Sequence, residues 1–136
     1  MDADRRRSTL RVIVPRPDRV RTLEGVAFGW MDARLHRDGW LMRLSPEALS
    51  VYVFLALVAD RDGVSFYRRD RIGAGLALGE TEVREALRQL EDLGLVAFFP
   101  FGPHACEGFR QVLSVPASGP PPLCRDVRQL LHPKAP

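Results

Sequence analysis

The chain of 136 residues is long enough for one domain with a modest core, and its 46% hydrophobic and 27% charged content is typical of a globular protein. No apolar run approaches the roughly 18–20 residues that a membrane-spanning helix needs, and the N-terminus lacks the apolar core of a signal peptide. We therefore expect a cytoplasmic protein without membrane contact, in which Cys106 and Cys124 are free thiols.

The net charge of +3 is unevenly distributed along the chain. Residues 1–21 carry seven arginines and three acidic residues, whereas residues 45–99 carry six arginines and nine acidic residues. Lys134 is the single lysine, and every other basic residue is arginine, whose side chain pairs bidentately with phosphate and with guanine. The basic flanks favour a nucleic-acid partner, and a GC-rich genome is the alternative explanation of the arginine content.

The N-terminal part of the chain is predicted to contain little regular structure. Residues 1–25 are expected to form a basic arm, in which the run LRVIV at residues 10–14 could form an edge strand. The domain proper is expected at residues 26–115, with its core at 45–115. Before that core, the apolar spacing predicts a short helix near residues 30–37, a break at Asp38-Gly39, and a turn that docks Trp40 and Leu41 on the core.

The segment LSPEALSVYVFLALVADRDG predicts a buried helix. Ser45 is a natural N-cap, Pro46 suits the first helical position, and Glu47 lies at the positive end of the helix dipole. The stretch from Ala48 to Ala59 is almost entirely apolar, so we expect this helix to be buried on most sides.

Two further helices are predicted after the short β-rich run VSFY, over residues 69–76 and about 80–93. Gly75 and Gly79 bracket the turn between them, and Gly94 is a suitable left-handed C-cap. The second of these helices shows the i, i+3, i+4, i+7 spacing of one inward face, formed by Val83, Ala86, Leu87, Leu90 and Leu93.

A hairpin with a long tip is predicted from the runs LVAFFPFG and GFRQVLSV. Its phenylalanines, at positions 98, 99, 101 and 109, are interpreted as packing within the hairpin and core, and an exposed Phe99 or Phe101 that contacts a partner is the alternative. Residues 116–136 are expected to be a proline-rich tail, with a short amphipathic helix at 123–131.

The order helix, short strand, helix, turn, helix, hairpin is typical of an α+β, mainly helical fold. Within it, LALGETEVREALRQLEDLGLV carries Leu78 before a tight turn, Val83 on the inner face, the pair Ala86-Leu87, and the exit Leu93–Val96. Residues 45–115, about half the chain, thereby resemble the winged helix-turn-helix superfamily, and the GntR-type bacterial regulators in particular. The resemblance implies a three-helix core with a hairpin wing, and binding of duplex DNA with one helix in the major groove.

Candidate DNA contacts follow from this resemblance and from the arginine positions. Arg68, Arg69 and Arg71 precede or begin a helix and are candidates for phosphate contacts, as is Arg110 at the base of the wing. The candidates for the major groove are Thr81, Arg84, Arg88 and Gln89. The N-terminal arm offers Arg5, Arg6, Arg7 and Arg11, whereas the wing tip has no arginine or lysine.

The helix that would read DNA is itself acidic, with five acidic residues and two arginines between Glu80 and Asp92. Glu80 and Glu82 in its first turn are interpreted as helix caps, each stabilising by about 0.3–1 kcal/mol. Two alternatives remain at this point: a carboxylate that accepts a hydrogen bond from cytosine, and a helix that faces a protein.

We therefore expect a non-enzymatic, nucleoid-associated bacterial protein that binds double-stranded DNA, as a transcriptional regulator or as an accessory factor of replication or of a mobile element. No catalytic set or phosphate loop is present, and neither His104 with Cys106 nor Cys124 with His132 has the spacing of a zinc site, so no metal or cofactor is expected. The alternative function is a protein-interaction module that uses the acidic helix. A homodimer and a protein partner are further expectations.

Overall fold

Three helices pack together and against a small antiparallel sheet in the structure, a computed structural model that describes residues 11–22, 24–25 and 27–121. The helices are α1 (Arg34–Arg37), α2 (Pro46–Val58), α3 (Arg69–Leu76) and α4 (Glu80–Asp92); the strands are β1 (Val64–Ser65), β2 (Val96–Pro100) and β3 (Gly108–Val112); and 3-10 turns lie at Pro17–Arg19 and Leu41–Arg43. The predicted α+β class is confirmed. No helix among the described residues is both long enough and apolar enough to cross a bilayer.

Helix α2 begins as its sequence predicts. The Ser45 hydroxyl accepts a hydrogen bond from the Ala48 N–H at 3.1 Å, and Pro46 occupies the first helical position. One side of α2 is buried in the core, whereas Leu57 on the other side is largely exposed. Pro46 and Leu57 are the only exposed residues of α2, so the expectation of burial on most sides is confirmed.

The core lies between α2, α3, α4 and the inner face of the sheet. Helix α4 contributes four fully buried residues at the predicted spacing, Val83, Ala86, Leu87 and Leu90. Trp40 is buried at the edge of this core, as predicted, whereas Leu41 beside it is exposed. The inward face of α4 is confirmed, and it fixes which residues of that helix point to solvent.

The turn between α3 and α4 depends on a close backbone approach. The Leu78 N–H donates to the Gly73 carbonyl at 3.0 Å, and Ala77 between the helices adopts left-handed backbone angles (φ 56°). A Cβ at position 73 would lie 2.6 Å from the Leu78 carbonyl oxygen, inside van der Waals contact. Only glycine therefore fits at position 73, where the chain folds back to begin α4.

The three strands lie in the order β1-β3-β2, and all pairs are antiparallel. Phe98 and Arg110 are paired on the inner face of the hairpin, and Phe99 and Phe109 are paired on its outer face. The predicted hairpin is thus confirmed, with residues 101–107 as its loop.

The N-terminal edge strand is not formed among the described residues. Residues 11–14 have no regular structure, and their side chains, including Val12 and Ile13, are exposed. The predicted helix at 123–131 lies outside the described residues.

Gly73→Ala is expected to destabilise the protein by about 1–3 kcal/mol, because the added methyl group would force the α3–α4 turn apart. At an ordinary helix position the same change stabilises by about 0.8–1 kcal/mol. The control is Gly75→Ala, whose methyl group would meet only the movable ring of Phe54. Urea unfolding of both variants measures the difference, and equal stabilities would contradict the assigned backbone constraint.

Candidate nucleic-acid interface

The first turn of α4 is held by one of its acidic residues. The Glu82 carboxylate accepts a hydrogen bond from the Gly79 N–H at 3.0 Å and thereby caps the N-terminus of the helix. The capping interpretation is confirmed for Glu82. Glu80 lies in the same turn and is exposed. Thr81, the candidate for a contact in the DNA major groove, is exposed beside it.

The remaining charged residues of α4 lie along two clefts. Glu82 and Glu85 border a cleft with Ser45 and Glu47 at the start of α2, which we call the acidic flank. Arg84 and Arg88 face the opposite way, toward the hairpin. Glu91 and Asp92 lie on the arginine side as well, so the separation of charge on α4 is partial.

A groove separates the arginine side of α4 from the hairpin and encloses a volume of about 290 Å³. Four arginines line it, which defines what we call the arginine groove: Arg69, Arg84, Arg88 and Arg110. Its apolar wall is formed by Leu87 and Phe98, and Cys106, Glu91 and Asp92 complete the lining. The groove therefore collects arginines from α3, α4 and β3 at one place.

Arg110 is the innermost of these arginines, with 5% of its side chain exposed. Its guanidinium stacks on the Phe98 ring, 4.6 Å from the ring centroid, and donates to the carbonyls of Tyr67 and Cys106 at 3.4 Å. Its Nε–H has no partner within the described part of the chain. Burial lowers the pKa of Arg110, and the Glu107 carboxylate opposes this shift.

Arg110 must therefore be withdrawn from the predicted surface contacts with phosphate. A guanidinium that is almost fully buried cannot reach a DNA backbone that passes over the surface. Instead, Arg110 forms the floor of the arginine groove and adds positive charge to it from below.

Arg69 joins α3 to the hairpin loop. The Glu107 carboxylate accepts hydrogen bonds from the Arg69 backbone N–H at 3.1 Å and from its Nε–H at 3.2 Å. The same carboxylate lies 3.8 Å from Arg110. Arg69 is thus a partly neutralised member of the groove. Sequence reasoning missed Glu107, although its i, i+3 spacing from Arg110 was a usable signal.

Arg68 and Arg71 are the exposed members of the predicted phosphate cluster. Arg68 makes only a long contact, 3.4 Å, with the Asp70 carboxylate, and both of these side chains are well exposed. A second cleft contains Arg68 and Arg69 together with three acidic residues, Asp70, Glu80 and Glu107, so the basic surface is interrupted by carboxylates at the start of α3.

Gln89 is placed away from the groove. Its side-chain oxygen accepts from the Ser45 N–H at 2.9 Å, and its amide donates to the Arg43 carbonyl at 3.1 Å. These two bonds fasten α4 to the chain just before α2, so Gln89 must be withdrawn from the predicted base contacts. Nothing in the local sequence indicates this pairing, because its partners lie more than forty residues away.

The N-terminal arm is only partly described. Arg5, Arg6 and Arg7 lie outside the described residues, and Arg11 is exposed. The structure therefore brings Arg69, Arg84 and Arg88 together at one groove, with Arg68 in the adjoining cleft.

Comparisons with known proteins returned no matching family model, no similar curated protein and no similar solved structure.

Gln89→Ala is expected to destabilise the protein by about 1–2 kcal/mol, because it leaves the Ser45 N–H and the Arg43 carbonyl without their partner. Arg88→Ala, one residue away and exposed, is the matched control and should change stability by less than about 0.5 kcal/mol. Thermal and urea unfolding test this pair. A stability loss confined to Arg88→Ala would contradict the structural role of Gln89.

Proposed function

We propose that this chain is a winged-helix protein that binds double-stranded DNA with the arginine side of α4 and the arginine groove. The order of the elements, with α2, β1, α3 and α4 followed by a hairpin, supports the winged-helix assignment. In this fold α4 would be the reading helix and the loop 101–107 the tip of the wing.

The convergence of arginines from α3, α4 and β3 on one groove carries the proposal. Arg84 and Arg88 lie on the side of the helix that borders the hairpin, and Glu82 and Glu85 lie on the other. A duplex that approaches between α4 and the hairpin would meet Arg69, Arg84 and Arg88, with the buried Arg110 beneath them, before it meets the acidic flank. Because phosphate neutralisation by arginine supplies most of non-specific DNA affinity, this arrangement offsets the net negative charge of the helix.

Each arginine has a distinct part in this proposal. Arg84 and Arg88 are exposed and contact phosphate or guanine, Arg68 and Arg71 contact the backbone at the start of α3, and Arg69 extends the surface between these pairs. Thr81, in the first turn of α4, is a further contact to the major groove of the DNA. A transcriptional regulator, or an accessory factor of replication or of a mobile element, would use such a site.

The acidic flank favours a second candidate function. Glu47, Glu82 and Glu85 form an acidic cleft at the surface of α2 and α4, which suits a basic protein rather than DNA. In this alternative the winged helix is an assembly module, and duplex DNA does not bind even at low salt.

Arg84→Ala/Arg88→Ala is expected to weaken binding to a random-sequence duplex at least about tenfold and to reduce the salt slope of the affinity by about 2, since each lost phosphate contact removes about 1. Fluorescence anisotropy between roughly 50 and 200 mM salt measures both quantities. The control, Arg37→Ala/Arg61→Ala, removes the same charge from exposed positions outside the groove.

The outcomes separate the two candidate functions. Loss of affinity in the first variant alone supports binding through the arginine groove. Equal losses of affinity in both variants would show that DNA binding depends only on the net charge of the protein. No binding by the unchanged protein at low salt would overturn the DNA proposal and leave the acidic flank as the interaction site.

Glu91→Gln is expected to strengthen duplex binding about three- to tenfold at neutral pH, because it removes a carboxylate from the arginine groove. Burial raises the pKa of Glu91, with Arg110 opposing, so protonation at falling pH neutralises this group in the unchanged protein. Affinity should therefore rise as the pH falls through that raised pKa, and this rise should be smaller in Glu91→Gln.

Glu85→Gln on the acidic flank is the matched control for this measurement. It removes the same charge without entering the groove. A gain in affinity for Glu85→Gln that equals the gain for Glu91→Gln would place the duplex against the whole outward face of α4 rather than in the groove.

A further inference from the structure

The outer face of the sheet carries a cluster of exposed phenylalanines. We call this cluster the aromatic face; its members are Phe66, Phe99, Phe101 and Phe109, which are 67%, 70%, 55% and 43% exposed. Phe109 lies at its centre. Its ring meets Phe66 edge-on at 6.1 Å and Phe101 at 5.1 Å between centroids, and Phe99 lies opposite it on β2.

This arrangement bears out part of one interpretation of the sequence, since Phe101 and Phe109 pack on each other within the hairpin and Phe98 points inward. Phe99, Phe101 and Phe109 do not pack in the core, and only Phe98 points inward, beneath Arg110. The exposure of Phe99 and Phe101 matches the alternative given for them. Strand alternation explains the difference, because Phe98 and Phe99 are neighbours and must point to opposite faces.

The aromatic face has the size at which an apolar patch often marks a functional surface. Its exposed fractions together exceed two whole phenylalanine side chains, which corresponds to roughly 350–600 Å² of apolar area. This is about the area of the largest apolar patch on a typical monomer, roughly 300–600 Å², and such a patch is often functional. A specific interface buries about 800 Å² per partner, of which roughly 60% is apolar. The four rings alone supply most of that apolar share.

The surroundings of the aromatic face indicate its partner. The neighbouring outward positions of the described sheet are Val64, Ala97 and Gln111, none of which is charged. The Gln111 amide is already occupied by the Asp62 carbonyl. A face without charge offers nothing to a charged partner or to phosphate. Under a two-fold axis, however, it is complementary to a copy of itself.

We propose that two copies of this chain associate through their aromatic faces into a symmetric dimer, with the Phe109 rings near the two-fold axis. Phe99 and Phe101 of each copy pack against the sheet of the other, and offset or edge-to-face ring pairs extend across the interface. The arginine groove lies on the opposite face of the hairpin, where Phe98 and Arg110 point. Dimerisation therefore leaves that groove open in both copies.

Light scattering coupled to gel filtration, and sedimentation equilibrium, test the proposal with the full chain in the absence of DNA. We expect a monomer–dimer equilibrium whose dissociation constant rises at least about tenfold in Phe99→Ser/Phe101→Ser, because aromatic anchors dominate interface energetics. Phe66→Ser is a second, independent variant on the same face. Leu57→Ser is the control, since Leu57 is a similarly exposed apolar residue on α2. Circular dichroism shows that each variant is folded.

A cross-link defines the geometry. In a Cys106→Ser/Cys124→Ser background, Ala97→Cys lies beside the aromatic face on β2, diagonal to Phe109 and so roughly 7–8 Å from the two-fold axis, and a flexible bismaleimide should link two copies. Leu57→Cys in the same background should not be linked. This pair distinguishes association through the sheet from association elsewhere on the surface.

Two results would overturn the dimer. One is a monomer at every accessible concentration, which would assign the aromatic face to another partner. The other is a dimer whose dissociation constant is unchanged in both phenylalanine variants. Neither result bears on DNA binding, and a protein that dimerises in this way without binding DNA would overturn the proposed function alone.

Discussion

The backbone contact at Gly73 is the constraint on which the rest of the molecule depends. Because position 73 carries no side chain, the Leu78 carbonyl can approach it and the chain can turn back at once into α4. The direction of α4 is then fixed from its other side by Gln89, which binds the backbone on both sides of Leu44. These two contacts fix the rotation of α4 about its axis. They therefore fix the direction in which each of its charged side chains points.

That fixed rotation explains how an acidic helix can face a basic groove. The helix repeat places residues four apart on the same side, so Arg84 and Arg88 lie together, one turn apart. The hairpin then adds Arg110 from below, and α3 adds Arg69 from the side. The alternation of side chains along β3 likewise separates two surfaces. It turns Arg110 toward the groove and Phe109 away from it, so one strand serves two surfaces.

The sequence predicts this molecule well where its determinants are local. The N-cap at Ser45, the spacing from Val83 to Leu90 and the left-handed Gly94 are each set by a few neighbouring residues, and all three are found as expected. Arg110 and Gln89 were misassigned because a polar side chain looks the same in sequence whether it meets solvent or a distant backbone group. The partners that decide are Phe98 for Arg110, and Arg43 and Ser45 for Gln89.

Through the proposed dimer, the aromatic face would also link the folding of this chain to its concentration. Surface that exists only in the folded state, and that associates with a second copy, draws unfolded chains into the native form by mass action. A concentrated solution would then melt at a higher temperature than a dilute one, although no contact inside the monomer differs. The phenylalanines at positions 99 and 101, which contribute little to the core of one copy, would in this way set how much protein is needed to keep it folded.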